Sequence, residues 1–296
     1  MEPDRLPQDW PFRAQGRSVR AGAHRWWVID TGPHEAPAVL LLHGLGASGH
    51  SFARLIPALA EGFRVIVPDL PGQGCTRAGA PGRLGLDPMA EDLLALCTAL
   101  GAPPQAVVGH SAGAALALRL AEMTPLRAVV GINAALGTFD GAAGWVFPLM
   151  ARALSVAPFA AHAAAALWGR PSAVDRLLRD TGSQVDSAFR AAYLRLVQDP
   201  AHVAGALGMM AAWRLEPLLD RMGAIDVPVL LIAGGRDRAV PPEVSQAAAA
   251  RLPGAQALLL PDLGHLAQEE AADGLADRIL PWLAARLQPA GAAPKI

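Results

Sequence analysis

Short unbroken apolar runs alternate along the chain with longer stretches whose apolar positions recur every three or four residues. The runs at 38–43 (A-V-L-L-L-H), 63–68 (F-R-V-I-V-P), 105–110 (Q-A-V-V-G-H), 127–133 (R-A-V-V-G-I-N), 227–233 (V-P-V-L-L-I-A) and 255–260 (A-Q-A-L-L-L) predict strands. Parallel strands covered on both faces are apolar throughout, so these six read as buried. Residues 18–28 predict an antiparallel edge hairpin. Helical spacing at 51–61, 87–100, 112–123, 243–252 and 269–287 predicts helices. Asp87, Pro88 and Glu91 form the expected start of the second of them. Strands alternating with helices imply βαβ units. Six runs and a hairpin make an α/β fold with an eight-stranded, mostly parallel sheet and helices on both faces.

One region breaks the rhythm. Residues 134–221 carry Ala, Leu and Trp at helical spacing but no strand-like run, which predicts a helical insertion placed before the last two strands. The expected organisation is therefore a core of residues 1–133 and 222–288, the insertion at 134–221, and a disordered tail at 289–296. At 296 residues this is one large domain with an insertion.

Composition removes several function classes. Lys and Arg total 25 against 26 Asp and Glu, so no global field steers the chain toward nucleic acid. Two cysteines, Cys75 and Cys97, with no Cys/His cluster, suggest neither a disulfide framework nor a zinc site, and no carboxylate cluster suggests magnesium. No metal and no cofactor is expected. The first residues, M-E-P-D-R-L-P-Q-D-W-P-F, lack a secretory h-region, so a cytoplasmic setting is expected. Residues 144–169 are very apolar but broken by Pro148, Arg152, Pro158 and His162, which argues against a spanning helix and leaves peripheral contact with the inner membrane open.

The sharpest chemical signal is Gly109-His110-Ser111-Ala112-Gly113, between a predicted strand and a predicted helix. A tight strand-to-helix turn flanked by small residues lifts a serine hydroxyl above the sheet, the arrangement of a nucleophile elbow. The bland reading is a glycine-rich turn with a serine helix cap. A serine needs a base, and the base needs an orienting acid. Asp237, in G-G-R-D-R-A-V-P, and His265, in D-L-G-H-L-A-Q-E-E, each follow a predicted strand. Ligands bind at the carboxyl edge of such sheets, so the three residues can meet there. Taken singly, Asp237 reads equally as a turn carboxylate and His265 as a helix cap. Asp69 ends a strand too, but is read as shaping its loop, and Asn133 stands where an alternative acid would.

After the first run comes His43-Gly44-Leu45-Gly46. The backbone amides of Leu45 and Ala112 are the expected oxyanion donors. His43 reads as a structural hydrogen-bonder beside the pocket, and His110 as packing or lining it. In the insertion, Trp145, Phe147, Trp168, Tyr193, Met209, Met210 and Trp213 suit a large flat apolar ligand, although such residues at helical spacing are equally core.

H-G-L-G, P-D-L-P-G-Q-G, G-H-S-A-G, G-R-D and G-H, in this order, resemble the α/β-hydrolase superfamily along nearly the full chain. Within it, D-W-P-F-R, G-H-S-A-G-A-A-L-A-L-R, the segment Y-L-R-L-V-Q-D-P-A-H-V-A-G-A-L-G-M-M-A-A-W, D-R-A-V-P-P and L-G-H-L-A-Q-E-E resemble the magnesium-chelatase accessory family of bacteriochlorophyll biosynthesis. The resemblance implies a helical cap for the insertion, a tetrapyrrole as the apolar small molecule, and magnesium chelatase subunits as partners. Cys75 departs from the serine that relatives of this fold often carry after G-x-G.

Three functions follow as expectations: a cofactor-independent serine hydrolase of an ester or activated carbonyl, a non-catalytic tetrapyrrole-binding accessory protein, and a C–C bond hydrolase. Epoxide and haloalkane chemistry is disfavoured, because a carboxylate nucleophile would stand at Ser111, and Tyr193 is the only tyrosine.

Overall fold

The computed structural model describes residues 1–80, 82–137 and 160–287. Eight strands form one sheet: β1 (Gly16–Ala21), β2 (His24–Thr31), β3 (Ala38–Leu42), β4 (Arg64–Pro68), β5 (Ala106–His110), β6 (Ala128–Ile132), β7 (Val229–Gly234) and β8 (Ala255–Leu260), in the order β1-β2-β4-β3-β5-β6-β7-β8. The β1–β2 and β2–β4 pairs are antiparallel, and every pair from β4 through β8 is parallel.

The apolar runs are continuous because neighbouring residues point to opposite, equally covered faces. Leu40, Leu42, Val107, Val129 and Leu231 pack on one side with α2 (Leu86–Ala99), α3 (Ala112–Met123) and α9 (Pro242–Arg251). Val39, Leu41, Val108, Val130 and Ile232 pack on the other with α1 (Ile56–Ala60) and α11 (Ala272–Leu287). Each such residue, fully buried, stabilises the fold by roughly 1.5–3 kcal/mol before entropy is counted.

Three expectations need correction. The final run is not a buried strand: β8 pairs only with β7, its side chains are exposed or half-buried, and Leu259 is 46% exposed. It lies at the sheet edge, last in the strand order. The predicted helix at 51–61 is a 3-10 turn (Gly49–Phe52) followed by the short α1. The one at 269–287 is two helices, α10 (Ala267–Glu270) and α11, separated by Ala271 at φ −144° and ψ 58°.

Between β6 and β7 the described residues form α4 (Ala160–Trp168), α5 (Pro171–Asp180), α6 (Ser187–Gln198), α7 (Pro200–Ala212) and α8 (Glu216–Arg221), with no strand. Asp186 and Asp199 start α6 and α7 by accepting two backbone N–H groups each. Among the described residues no helix is long and apolar enough to cross a membrane. Trp145, Phe147 and the tail at 289–296 lie outside the described residues.

Candidate active site

Parallel strands deliver their following loops to one edge, and there the chain collects its chemistry. Ser111 directly follows β5 and precedes α3. It adopts φ 53° and ψ −117°, a conformation that costs a non-glycine residue about 1–3 kcal/mol and persists only where the surroundings enforce it. Here Ser111 N donates to Ile132 O at 2.9 Å, while Ser111 O accepts from Ala114 N and Ala135 N, each at 3.1 Å.

The flanking glycines permit this turn. A Cβ on Gly109 would lie 2.2 Å from Gly113 O, and one on Gly113 would lie 2.1 Å from Leu42 O. Both obstacles are backbone, which cannot rotate away. Gly113→Ala is expected to cost more than about 3 kcal/mol of stability in urea denaturation, the upper range for overpacking. A loss below about 1 kcal/mol would mean that the turn is looser than drawn.

His265 stands five residues beyond β8 and Asp237 three beyond β7. The His265 Nδ1–H donates to Asp237 Oδ2 at 2.7 Å. Asp237 Oδ1 accepts from Ala239 N and Val240 N, each at 2.8 Å, so both carboxylate oxygens are engaged in a fixed orientation. With the Nδ1 proton held by Asp237, Nε2 is left with its lone pair, as a base requires. His110, the neighbour of Ser111, donates from Nε2 to His265 O at 2.8 Å, and the two imidazole rings lie 4.8 Å apart. The base loop is thus tied to the residue beside the serine. Burial holds the His110 imidazole well below its ordinary pKa, so it remains a neutral strut.

The expected oxyanion loop lies against the serine. A Cβ on Gly44 would sit 3.0 Å from Ser111 Cβ. Leu45, the next residue, is 37% exposed, and the Ala112 amide belongs to the first turn of α3, where N–H groups have no intrahelical acceptor. The loop is held by Gln73, whose Oε1 accepts from Gly46 N at 2.6 Å, and by His202 of α7. His202 Nδ1 accepts from Gly74 N at 3.0 Å, so its Nε2–H donates to Gly46 O at 3.1 Å. Burial lowers this imidazole to about 4, which keeps it neutral.

Several residues expected to line a ligand pocket are committed elsewhere. His43 is fully buried, accepting from Leu70 N at Nε2 and donating from Nδ1 to Gly44 O, and burial lowers its pKa to about 3. No ring nitrogen is left for a ligand. The Tyr193 hydroxyl donates to Glu269 Oε1 at 2.7 Å and its ring packs on His50 at 4.9 Å, so it joins α6 to the core. Met209 is buried and its sulfur accepts from Gln73 Nε2 at 3.1 Å. Trp213 and Met210 are partly buried, Trp213 against the core, while Trp168 is 47% exposed at the end of α4. Tyr193 and Met209 are thus spent on internal bonds.

Two further side chains visible in the sequence, Asn133 and Asp69, organise the loops at this edge. Asn133, at φ 47°, donates from Nδ2 to Gly264 O (2.9 Å) and His265 O (2.7 Å) and accepts from Gly234 N (2.7 Å), joining the ends of β6 and β7 to the base loop. Asp69 accepts from Gly49 N and Cys75 N, each at 2.7 Å, and burial raises it to about 6. It is a loop organiser, and a Cβ on Gly74 would collide with its carboxylate. Among the described residues no three His, Cys, Asp or Glu side chains are grouped as a metal site would need.

A strained serine between β5 and α3, with an acid and a histidine on the loops after the last two strands, is the layout of an α/β hydrolase. The sequence profile described as the alpha/beta hydrolase fold matches residues 37–272, and the chain belongs to that family. More particularly, it is 54% identical over 283 residues to the magnesium-chelatase 30 kDa subunit of Rhodobacter capsulatus, covering 96% of this chain and 99% of that one. Among solved structures it resembles an alpha/beta hydrolase fold protein from Burkholderia ambifaria, with a TM-score of 0.75 at 24% identity over 90% of this chain and 97% of that one. It also resembles a thermophilic esterase from Thermogutta terrifontis, with a TM-score of 0.73 at 24% identity over 93% and 100%.

Proposed function

We propose that this chain is a cofactor-independent serine hydrolase of an ester or similarly activated carbonyl, serving the magnesium-chelatase step of bacteriochlorophyll biosynthesis. The observation that carries the reading is the enforced strain at Ser111, together with a His265–Asp237 hydrogen bond of 2.7 Å. Strain of this kind persists only where the surroundings enforce it, and it clusters at active sites. In the reaction, Ser111 Oγ attacks the carbonyl as His265 Nε2 takes its proton, and Asp237 stabilises the imidazolium. The Leu45 and Ala112 amides hold the oxyanion. His265 returns the proton to the leaving alcohol, and water then repeats the sequence on the acyl-enzyme, releasing acid and regenerating the serine.

The pathway assignment rests on the 54% identity to a chelatase subunit. The chain accordingly meets an apolar substrate of tetrapyrrole class, with chelatase subunits as its partners. In a bacterium lacking this chain, Ser111→Ala supplied in its place is expected to leave pigment synthesis deficient where the unaltered chain restores it. Full restoration by Ser111→Ala would overturn the catalytic role.

A second reading, a non-catalytic tetrapyrrole carrier, is favoured by the exposed indole of Trp168. It predicts that protoporphyrin quenches tryptophan fluorescence at low micromolar concentration, less so in Trp168→Phe, and that Ser111→Ala supports normal pigment. Equal quenching in both proteins would remove the observation that favours it.

A further inference from the structure

The turn between α5 and α6, residues 181–183, belongs to the helical insertion yet is bonded to both loops of the proposed relay. Thr181 O accepts from Arg238 N at 3.1 Å and from His265 N at 3.3 Å. Ser183, buried at 5% exposure, accepts at Oγ from Leu266 N at 2.8 Å. Between them Gly182 adopts φ 82°, and a Cβ there would lie 1.8 Å from Arg236 O. A Cβ on Gly264 would lie 2.5 Å from the Gly182 carbonyl carbon, so turn and base loop meet backbone to backbone. Glu270 completes the junction, accepting from Gly264 N at 2.9 Å and from Gln184 N at 3.1 Å.

The two sides of His265 are thus held by different parts of the chain. Its carbonyl is fixed from the core by His110 and Asn133, and its amide, with that of Leu266, from the insertion. Without Ser183 the Leu266 amide loses its acceptor, and any turn of that peptide about the His265 carbonyl would swing the imidazole relative to Ser111 and Asp237.

We infer that Ser183 is a positioning residue: its hydroxyl, delivered by the helical insertion, fixes the peptide after His265 and so keeps the imidazole on Asp237. This deepens the serine-hydrolase reading and rests on it. The 181–183 turn must stay seated for the relay to exist, so this part of the insertion does not lift away as a lid during turnover.

The test uses the full chain labelled with 15N-histidine. One readout is exchange with water of the Nδ1 proton that bonds Asp237, followed by NMR, and the other is the rate of labelling by a fluorophosphonate. A buried amide left without its acceptor loses interactions equivalent to about a tenfold change in an equilibrium. Ser183→Ala is therefore expected to speed Nδ1 exchange about tenfold and to slow labelling by a similar factor, with Ser183→Thr restoring both. Thr98→Ala, which removes a hydroxyl that donates to Leu94 O within α2, is expected to move neither. If Ser183→Ala does not fold, Ser183→Cys, whose thiol is a weaker acceptor, gives the same comparison. Unchanged exchange and labelling in the Ser183 variants, or no protected Nδ1 proton in the unaltered chain, would overturn the proposal. Exchange that depends on Ser183 in a chain that never labels would uphold the positioning role while removing the hydrolase reading.

Discussion

Asp237→Asn is expected to slow hydrolysis of an activated p-nitrophenyl ester by about ten-thousand-fold while leaving the protein folded. The carboxamide can keep its oxygen in the place of Oδ1, where it accepts from Ala239 N and Val240 N. Its NH2 then faces His265 Nδ1, where Oδ2 now accepts at 2.7 Å. A donor in that place forces the imidazole proton onto Nε2, and an Nε2–H cannot take the proton of Ser111. The comparison is kcat with thermal melting alongside. A loss below about tenfold with an unchanged melting temperature would mean that Asp237 does not orient the base.

A second large effect lies outside the relay. Glu269 is fully buried, and its Oε1 accepts from Ser51 at 2.5 Å and from Tyr193 at 2.7 Å. Burial raises its pKa to about 8 against an ordinary 4.5; the two hydrogen bonds oppose that rise, and Glu270 and Asp186 reinforce it. The native state therefore holds a proton that the unfolded chain releases near 4.5. Stability from this proton is fully present below about 4.5 and is lost as pH rises to about 8. A gap of this size corresponds to at most roughly 5 kcal/mol. Glu269→Gln keeps the acceptor for Ser51 and Tyr193 but has nothing to ionise. In urea denaturation it is expected to match the unaltered protein at pH 4.5 and to exceed it by several kcal/mol at pH 8.5, up to about that limit. Asp69, raised to about 6, acts in the same direction in both proteins and cancels in the difference. Parallel stability curves for the two proteins across this range would contradict the buried neutral carboxyl.

What could be read in the residues alone follows the range of the forces involved. Strands β3 to β7 and the helix after Ser111 were legible because local apolar patterning and dense burial specify the same elements. The run that became β8 misled: A-Q-A-L-L-L looks like a buried strand, but being last in the sheet order is a property of topology. The junction after Glu270 was missed because Ala271, being neither glycine nor proline, carries no breaker signal.

The candidate relay was legible as three residue types in a known order, since each sits at the end of an identifiable strand. Its supports were not. Asn133, Ser183 and His202 act through bonds to backbone groups 83 to 156 positions away along the chain, and no local pattern records such partners. Tyr193 and Met209 looked like pocket walls because aromatic and sulfur side chains are equally apt for a ligand and for a core. Only the positions of Glu269 and Gln73 show that both are spent on internal bonds.

The most direct measurement is peptide mapping after treatment with a fluorophosphonate. The account predicts one phosphonyl group per chain, carried on the peptide containing Ser111 and absent from both Ser111→Ala and His265→Ala. A folded, unaltered protein that acquires no label, or one that acquires it elsewhere while Ser111 stays free, would contradict the relay.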